Sequence, residues 1–241
     1  MNLSLKKVNI LMGEFYNMII CDDFTAIRYD FTTIIEEKEF PGVVMEFVQF
    51  KDYGEELGTR VVEGWGNVKG DNYEGMLNFQ GSEEKEIQEK QIEYIMNYEI
   101  PDTDDLQEKY PVIYPTKYKD NKAKEILRII LKGFDSWNQG IDSYLKWVNE
   151  GYDSDAESTD THDEKRTMSE YKSAMRALAK NENIKKLYFN NILIRDNWAA
   201  VHYYFTIEDL KKGIKNWGDK MQFLKFEDKD EGLKIISSWI H

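Results

Sequence analysis

Apolar and polar positions alternate through much of the first part of the chain. Met18 to Ile20 and Phe24 to Phe31 alternate on either side of Asp22-Asp23, which predicts a β-hairpin. Ile27, Tyr29 and Phe31 then share one face, and Arg28 and Asp30 the other. Pro41-Gly42 interrupts the pattern, Val43 to Lys51 forms a second long strand, and Thr59 to Trp65 returns after a polar turn. Residues 2 to 14 fit either a short helix or an entering strand. Glycine and asparagine breaks punctuate residues 67 to 80, with one further strand around Gly75 to Phe79.

The period then changes. Ile87, Ile92, Ile95 and Met96 recur at near-helical spacing, so Glu83 to Tyr98 reads as an amphipathic helix. Pro101, Pro111 and Pro115 lie among aspartates and mark 101–116 as a linker or extended crossing. Ala123, Ile126, Leu127, Ile130, Leu131 and Phe134 make a helix of Asp120 to Asp135, stopped by Asn138-Gln139-Gly140. A shorter helix covers Ile141 to Val148. The polar run Gly151 to Arg166 reads as a loop, and Met168 to Lys180 as a third helix with Ser169 at its N-cap or first turn. Strands follow over Ile184 to Arg195, Trp198 to Ile207, Lys220 to Glu227 and Leu233 to His241.

The last strands echo the first. Phe189 to Thr206 reads FNNILIRDNWAAVHYYFT, and Phe15 to Thr32 reads FYNMIICDDFTAIRYDFT. One offset pairs Asp22 with Asp196, Tyr29 with Tyr203, Gly58 with Gly232 and Trp65 with Trp239. The expected organisation is α+β, with two tandem units of helices on a curved antiparallel sheet. Residues 1–100 form a first unit lacking the leading helices, and 117–241 a complete one. The exposed sheet of the first unit needs a cover, either the 83–98 helix or the second unit's sheet. The expectation is therefore an intrachain pseudo-dimer, with a homodimer as the alternative.

Composition narrows the function classes. The net charge of −13 argues against a nucleic-acid partner, which needs a basic face. The single Cys21 cannot form an internal disulfide, which suits a reducing compartment. The apolar run after Lys6-Lys7 is broken by Asn9, Gly13, Glu14 and Asn17, so neither a signal peptide nor a membrane span is expected. A cytoplasmic location is the default expectation.

The run Phe134-Asp135-Ser136-Trp137-Asn138-Gln139-Gly140-Ile141-Asp142 resembles the F-x-A-W-N-x-G-D helix end of the SnoaL-like polyketide-cyclase family. Ser169-Glu170-Tyr171, Ile184, Asn191 to Asn197 and Ala200-Val201-His202-Tyr203 are similar to that family's helix and strand pair. The family lies in the cone-shaped, cystatin-like superfamily of nuclear transport factor two and ketosteroid isomerase. The resemblance covers 118 to 241, and reaches 8 to 65 through the echo. It implies three helices on a bent sheet with a pocket between them. It implies no single activity, since isomerases, cyclases, dehydratases, binders and protein-binding dimers share the fold.

Trp137, Tyr144, Tyr188, Trp198, Tyr203, Phe223 and Trp239 are the candidates for lining a pocket for a small apolar or aromatic molecule, or else for filling the cone. His202 is the one weak catalytic candidate, since imidazole titrates near neutral pH. The echo sets it against Arg28, on the polar face, so it is expected to face solvent or an interface. Asp153, Asp155, Glu157, Asp160 and Asp163 with His162 lack the turn glycine of a calcium loop and read as a solvated, mobile acidic loop. One Cys and three His give zinc no ligand set. No metal and no cofactor are expected. Three functions stay open: a small-molecule binder, an acid/base isomerase, cyclase or hydrolase-type enzyme, and a protein-interaction scaffold.

Overall fold

A computed structural model describes residues 8–35, 37–70, 93, 96–160 and 164–241. The chain divides into two compact units, Met1–Gly81 with His241, and Ser82–Ile240.

The first unit is an antiparallel sheet in chain order: β1 (Val8–Cys21), β2 (Phe24–Ile35), β3 (Lys38–Asp52) and β4 (Thr59–Gly70). The stretch from Val8 to Glu14, which fitted a helix or a strand equally, belongs to β1. A two-residue turn at Asp22-Asp23 joins β1 to β2, with Asp22 at φ 47°. Positive φ is tolerated by aspartate better than by most residues, and it suits the twist of a tight hairpin. The register slips between Phe15 and Asn17 in β1, and opposite the Gln49–Phe50 step in β4, where Val62 is the extra residue. Such bulges bend the strands. Phe31 and Val44 pack with Tyr29 and Phe40, while Ala26, Met45 and Phe47 are fully buried. Phe15, Met18 and Ile20 on β1 are exposed. Of the helix expected over 83–98, only Glu93 and Met96 to Tyr98 lie within the described residues, and Gly75 to Phe79 lie outside them.

The second unit holds α1 (Leu106–Lys109), α2 (Asn121–Asn138), α3 (Ile141–Gly151), β5 (Tyr152–Thr159), β6 (Lys165–Thr167), α4 (Met168–Ala179), β7 (Glu182–Arg195), β8 (Trp198–Asp209), β9 (Ile214–Lys229) and β10 (Gly232–Ile240). The six strands run β6-β5-β10-β9-β8-β7, antiparallel throughout except that β5 lies parallel to β10. The architecture is α+β, helices against a bent sheet.

Local chemistry sets the helix boundaries. The Asp120 carboxylate accepts from the Ala123 N–H at 2.7 Å and starts α2. Thr167 and Glu170 form a reciprocal capping box on α4, so Thr167, not Ser169, is its N-cap. Gly140, at φ 116°, separates α2 from α3. The apolar stripe of α2 from Ala123 to Phe134 then packs with Phe189, Ile192, Val201, Tyr203, Leu224 and Phe226 on the inner face of the sheet.

Two segments differ from the sequence reading. Tyr152 to Thr159, within the stretch expected as an acidic loop, is a strand. Its buried positions are Tyr152, Ala156, Ser158 and Thr159, too small or too polar to stand out as an apolar alternation, and its acids point outward or lie at its edges. His162 and Asp163 lie outside the described residues. The proline-rich stretch 101–116 lies within the second unit. Tyr110 is fully buried there, and residues 111–114 run along the open edge of β7. The Phe189 N–H donates to the Pro111 carbonyl, and the Ile113 and Tyr114 N–H groups donate to the carbonyls of Phe189 and Asn190, each at 3.0 Å. An edge strand left open invites unwanted pairing, and this segment closes it.

Candidate functional site

The end of α2 fixes the geometry of the site. Trp137 Nε1 donates to the Ile184 carbonyl at 2.8 Å. Asn138 Nδ2 donates to the Lys186 carbonyl at 2.7 Å, and its Oδ1 accepts from the Lys186 N–H at 3.0 Å. The Trp-Asn pair of the helix-end motif thus docks the helix to β7. Leu187 is an extra residue in the pairing of β7 with β8, where the register slips between Lys186 and Tyr188. The slip leaves both Lys186 and Phe189 on the inner face of the sheet.

Above that face lies a cavity of about 420 Å³. Its walls include Trp137 and Tyr144 from α2 and α3, Tyr171, Met175 and Leu178 from α4, and Ile184, Phe205, Ile207 and Ile240 from the sheet. The volume falls in the range of small-molecule sites, and the lining is mostly apolar. Polar groups converge on it. Tyr144 and Tyr171 share a hydrogen bond between their hydroxyls at 2.7 Å. Burial pushes the Tyr144, Tyr171 and Tyr203 hydroxyls up, Tyr171 to about 12. At physiological pH all three are therefore neutral donors.

Lys186 projects among aromatic rings. Its Nζ lies 4.6 Å from the ring centre of Phe134, 4.9 Å from Trp137, 5.1 Å from Tyr203 and 5.4 Å from Tyr144. Removal from water pushes its ammonium down to about 7. The ring faces favour the cation and offset part of that displacement. Lys220, paired with Tyr203 across β8 and β9, lines the same cavity, and its pKa is also lowered by burial, against an opposing pull from Asp219. Among the described residues no carboxylate forms an ion pair with Lys186 or Lys220. Arg166 is engaged with Asp160 at 2.5 Å and Glu164 at 3.2 Å.

The structure brings Trp137, Tyr144 and Tyr203 together around this cavity. It does not bring the other four candidates there. Strand alternation puts Tyr188, Trp198, Phe223 and Trp239 on the opposite face of the sheet. Tyr188 packs there with Tyr204 and Tyr98, and Trp198 stacks on Trp239 with centroids 5.7 Å apart. His202 shares that opposite face, as expected from the echo, but is 1% exposed and not solvent-facing. Its Nε2 is 2.8 Å from Asp219 Oδ2. Lys186, Tyr171, Lys220 and Gln222 were missed. The one sequence signal was that the echo sets Lys186 against Met12, a charge at an apolar position.

Among the described residues no cluster of three or more His, Cys, Asp or Glu is placed to hold a metal ion, and no helix is long and apolar enough to cross a membrane. No family model matches the sequence, and no curated protein does. Solved structures similar to this chain include SnoaL-like, ketosteroid-isomerase-like and NTF2-like proteins. A protein of Jannaschia sp. CCS1 assigned as a SnoaL-like polyketide cyclase is 12% identical over 52% of this chain and 90% of its own, at a TM-score of 0.42. A ketosteroid isomerase-like protein of Erwinia carotovora atroseptica SCRI1043 is 9% identical over 51% and 96%, at 0.41. An NTF2-like protein of unknown function from Burkholderia pseudomallei K96243 is 10% identical over 48% and 88%, at 0.41.

Proposed function

We propose that the second unit binds a small apolar or aromatic molecule in the cavity between α2, α3, α4 and the inner face of its sheet. The observation that carries this reading is the cavity of about 420 Å³, whose apolar walls converge on the Tyr144–Tyr171 hydroxyl pair and the Lys186 amine. Apolar walls supply affinity by burial, and a few fixed polar groups supply orientation. The test is titration of the full chain with the neutral fluorescent probe N-phenyl-1-naphthylamine. Binding with a dissociation constant in the micromolar range is expected, and Leu178→Trp, which places an indole in the cavity, reduces it at least tenfold. No binding by the wild-type chain, or equal binding by the filled variant, removes the reading.

One observation favours a second reading, acid/base catalysis on the bound molecule. An amine held near 7 can accept a proton at physiological pH, and neutral tyrosine hydroxyls beside it can polarise a carbonyl oxygen. On this reading Lys186, not His202, is the base. A bell-shaped or rising pH-rate profile on a small carbonyl compound, lost in Lys186→Met, is the corresponding measurement.

The two sheets also read as copies of one unit. Asp22 and Asp196 both carry positive φ at their hairpin turns, as do Gly58 and Gly232. The Phe15–Asn17 slip has its counterpart at Phe189–Asn191, and the extra residue Val62 in β4 has its counterpart at Ile236 in β10. All of these pairs obey the offset that relates the two sequences.

A further inference from the structure

We infer that the ligand of this cavity carries one carboxylate on a planar apolar body, and that the Lys186 amine anchors it. This rests on the proposed binding role of the cavity and names the class of molecule it takes. The reason is a missing counter-charge. A lysine removed from water ordinarily keeps a carboxylate or a set of acceptors beside it, because an unpaired ammonium is costly to bury. Around Lys186 the partners are four ring faces, of Phe134, Trp137, Tyr144 and Tyr203, between 4.6 and 5.4 Å from Nζ. Ring faces return only a fraction of what hydration supplied.

The rest of the cavity points the same way. Lys220 stands two strands across on the same face, also without an ion pair among the described residues. Arg166 and Asp160 cancel each other at 2.5 Å. Glu182 is the remaining carboxylate of the lining, set on the strand that carries Lys186. Inside a chain with a net charge of −13, two half-buried lysines thus face a mostly apolar space. A carboxylate entering it gains charge-assisted hydrogen bonds to Lys186, and its apolar body replaces solvent against Trp137, Tyr203 and Phe205. The rings that hold the lysine also present flat surfaces, which suits a planar ligand.

The experiment is a matched pair of probes, 2-naphthoate and 2-naphthalenemethanol, titrated into the full chain at pH 6.5 and followed by tryptophan fluorescence and calorimetry. Naphthoate is expected to bind at least tenfold more tightly than the alcohol. Lys186→Met is expected to erase that preference by weakening naphthoate at least tenfold, and far-ultraviolet circular dichroism with a cooperative denaturation transition verifies that the variant is folded. Lys186→Arg retains part of the preference, and Lys220→Met weakens it less than Lys186→Met does. Equal binding of the two probes by the wild-type chain overturns the inference and leaves the binding role standing. A preference that survives intact in Lys186→Met overturns the assignment to Lys186. Failure of both probes, together with failure of N-phenyl-1-naphthylamine, removes the binding role and this inference with it.

Discussion

Asn138 holds the backbone of Lys186 at two points, donating to its carbonyl at 2.7 Å and accepting from its N–H at 3.0 Å. One side-chain amide therefore continues at Lys186 the edge pairing that residues 111–114 provide at Phe189 and Asn190, and it fixes the residue whose side chain enters the cavity. Nδ2 also donates to the Tyr110 hydroxyl at 3.0 Å. Asn138→Ala leaves a backbone donor and acceptor unmatched in a half-buried place, a loss of roughly 2–3 kcal/mol. Asn138→Asp keeps the acceptor but sets a carboxylate against the Lys186 carbonyl, and is expected to be as damaging. Chemical denaturation measures both. A change within about 0.5 kcal/mol for either variant contradicts the clamp.

The Tyr144 and Tyr171 hydroxyls, 2.7 Å apart and both buried, form a coupled pair. Replacing one with phenylalanine strands the other, at a cost of about 1–2 kcal/mol. Replacing both removes the stranded group as well. The double variant is therefore expected to lose less than the sum of the single ones, with a coupling of about 1 kcal/mol by a double-mutant cycle. Strict additivity means that the two hydroxyls do not depend on each other.

How legible this was depended on which physical signal each element carried. Helix α2 announced itself through the spacing of Ala123, Ile126, Leu127, Ile130, Leu131 and Phe134, and the hairpin turn through Asp22-Asp23. Strand β5 was hidden, because its inward positions are Ala156 and Ser158 beside Tyr152. The site was misjudged for a related reason. Sequence alternation cannot see a bulge, and the register slips on either side of Tyr188 and Phe189 exchange the faces of those two residues while leaving the rest of β7 in step. Tyr188 therefore leaves the cavity, whereas Lys186 keeps the inner face that it shares with Ile184. Phe223, Trp198 and Trp239 were grouped with Tyr203 by aromatic character, whereas strand pairing assigns them to the opposite face.

His202 sits across the sheet from the cavity, with Nε2 2.8 Å from Asp219. Its removal is expected to leave ligand binding by the second unit unchanged within about twofold. Stability is another matter, because His202→Ala leaves a void and withdraws a buried partner from Asp219, for a loss of roughly 1–3 kcal/mol. Probe titration and denaturation of the same variant separate the two effects. A hundredfold loss of affinity or activity in a folded His202→Ala protein would return the imidazole to the site.

Lys186 makes stability depend on pH in a direction that can be worked out. The groups facing it are Tyr144 from α3, Tyr203 from β8, Lys220 from β9 and Glu182 on its own strand, with the Asp160–Arg166 pair also in the lining. In the folded chain the amine titrates at about 7, against 10.5 when solvated. Below pH 7 it is protonated in both states, and the folded chain carries the full cost of a buried ammonium. Between 7 and 10.5 the unfolded chain holds a proton that the folded chain does not, so this contribution to stability rises with pH. The displacement corresponds to at most about 5 kcal/mol, and the ring faces reduce it by about 0.5–2 kcal/mol. Lys186→Met is therefore expected to stabilise the protein most near pH 6, and to lose that advantage progressively as the pH approaches 10.5. Parallel denaturation series of the two proteins across this range measure the difference. A gap that stays constant with pH means that the amine is not desolvated in solution.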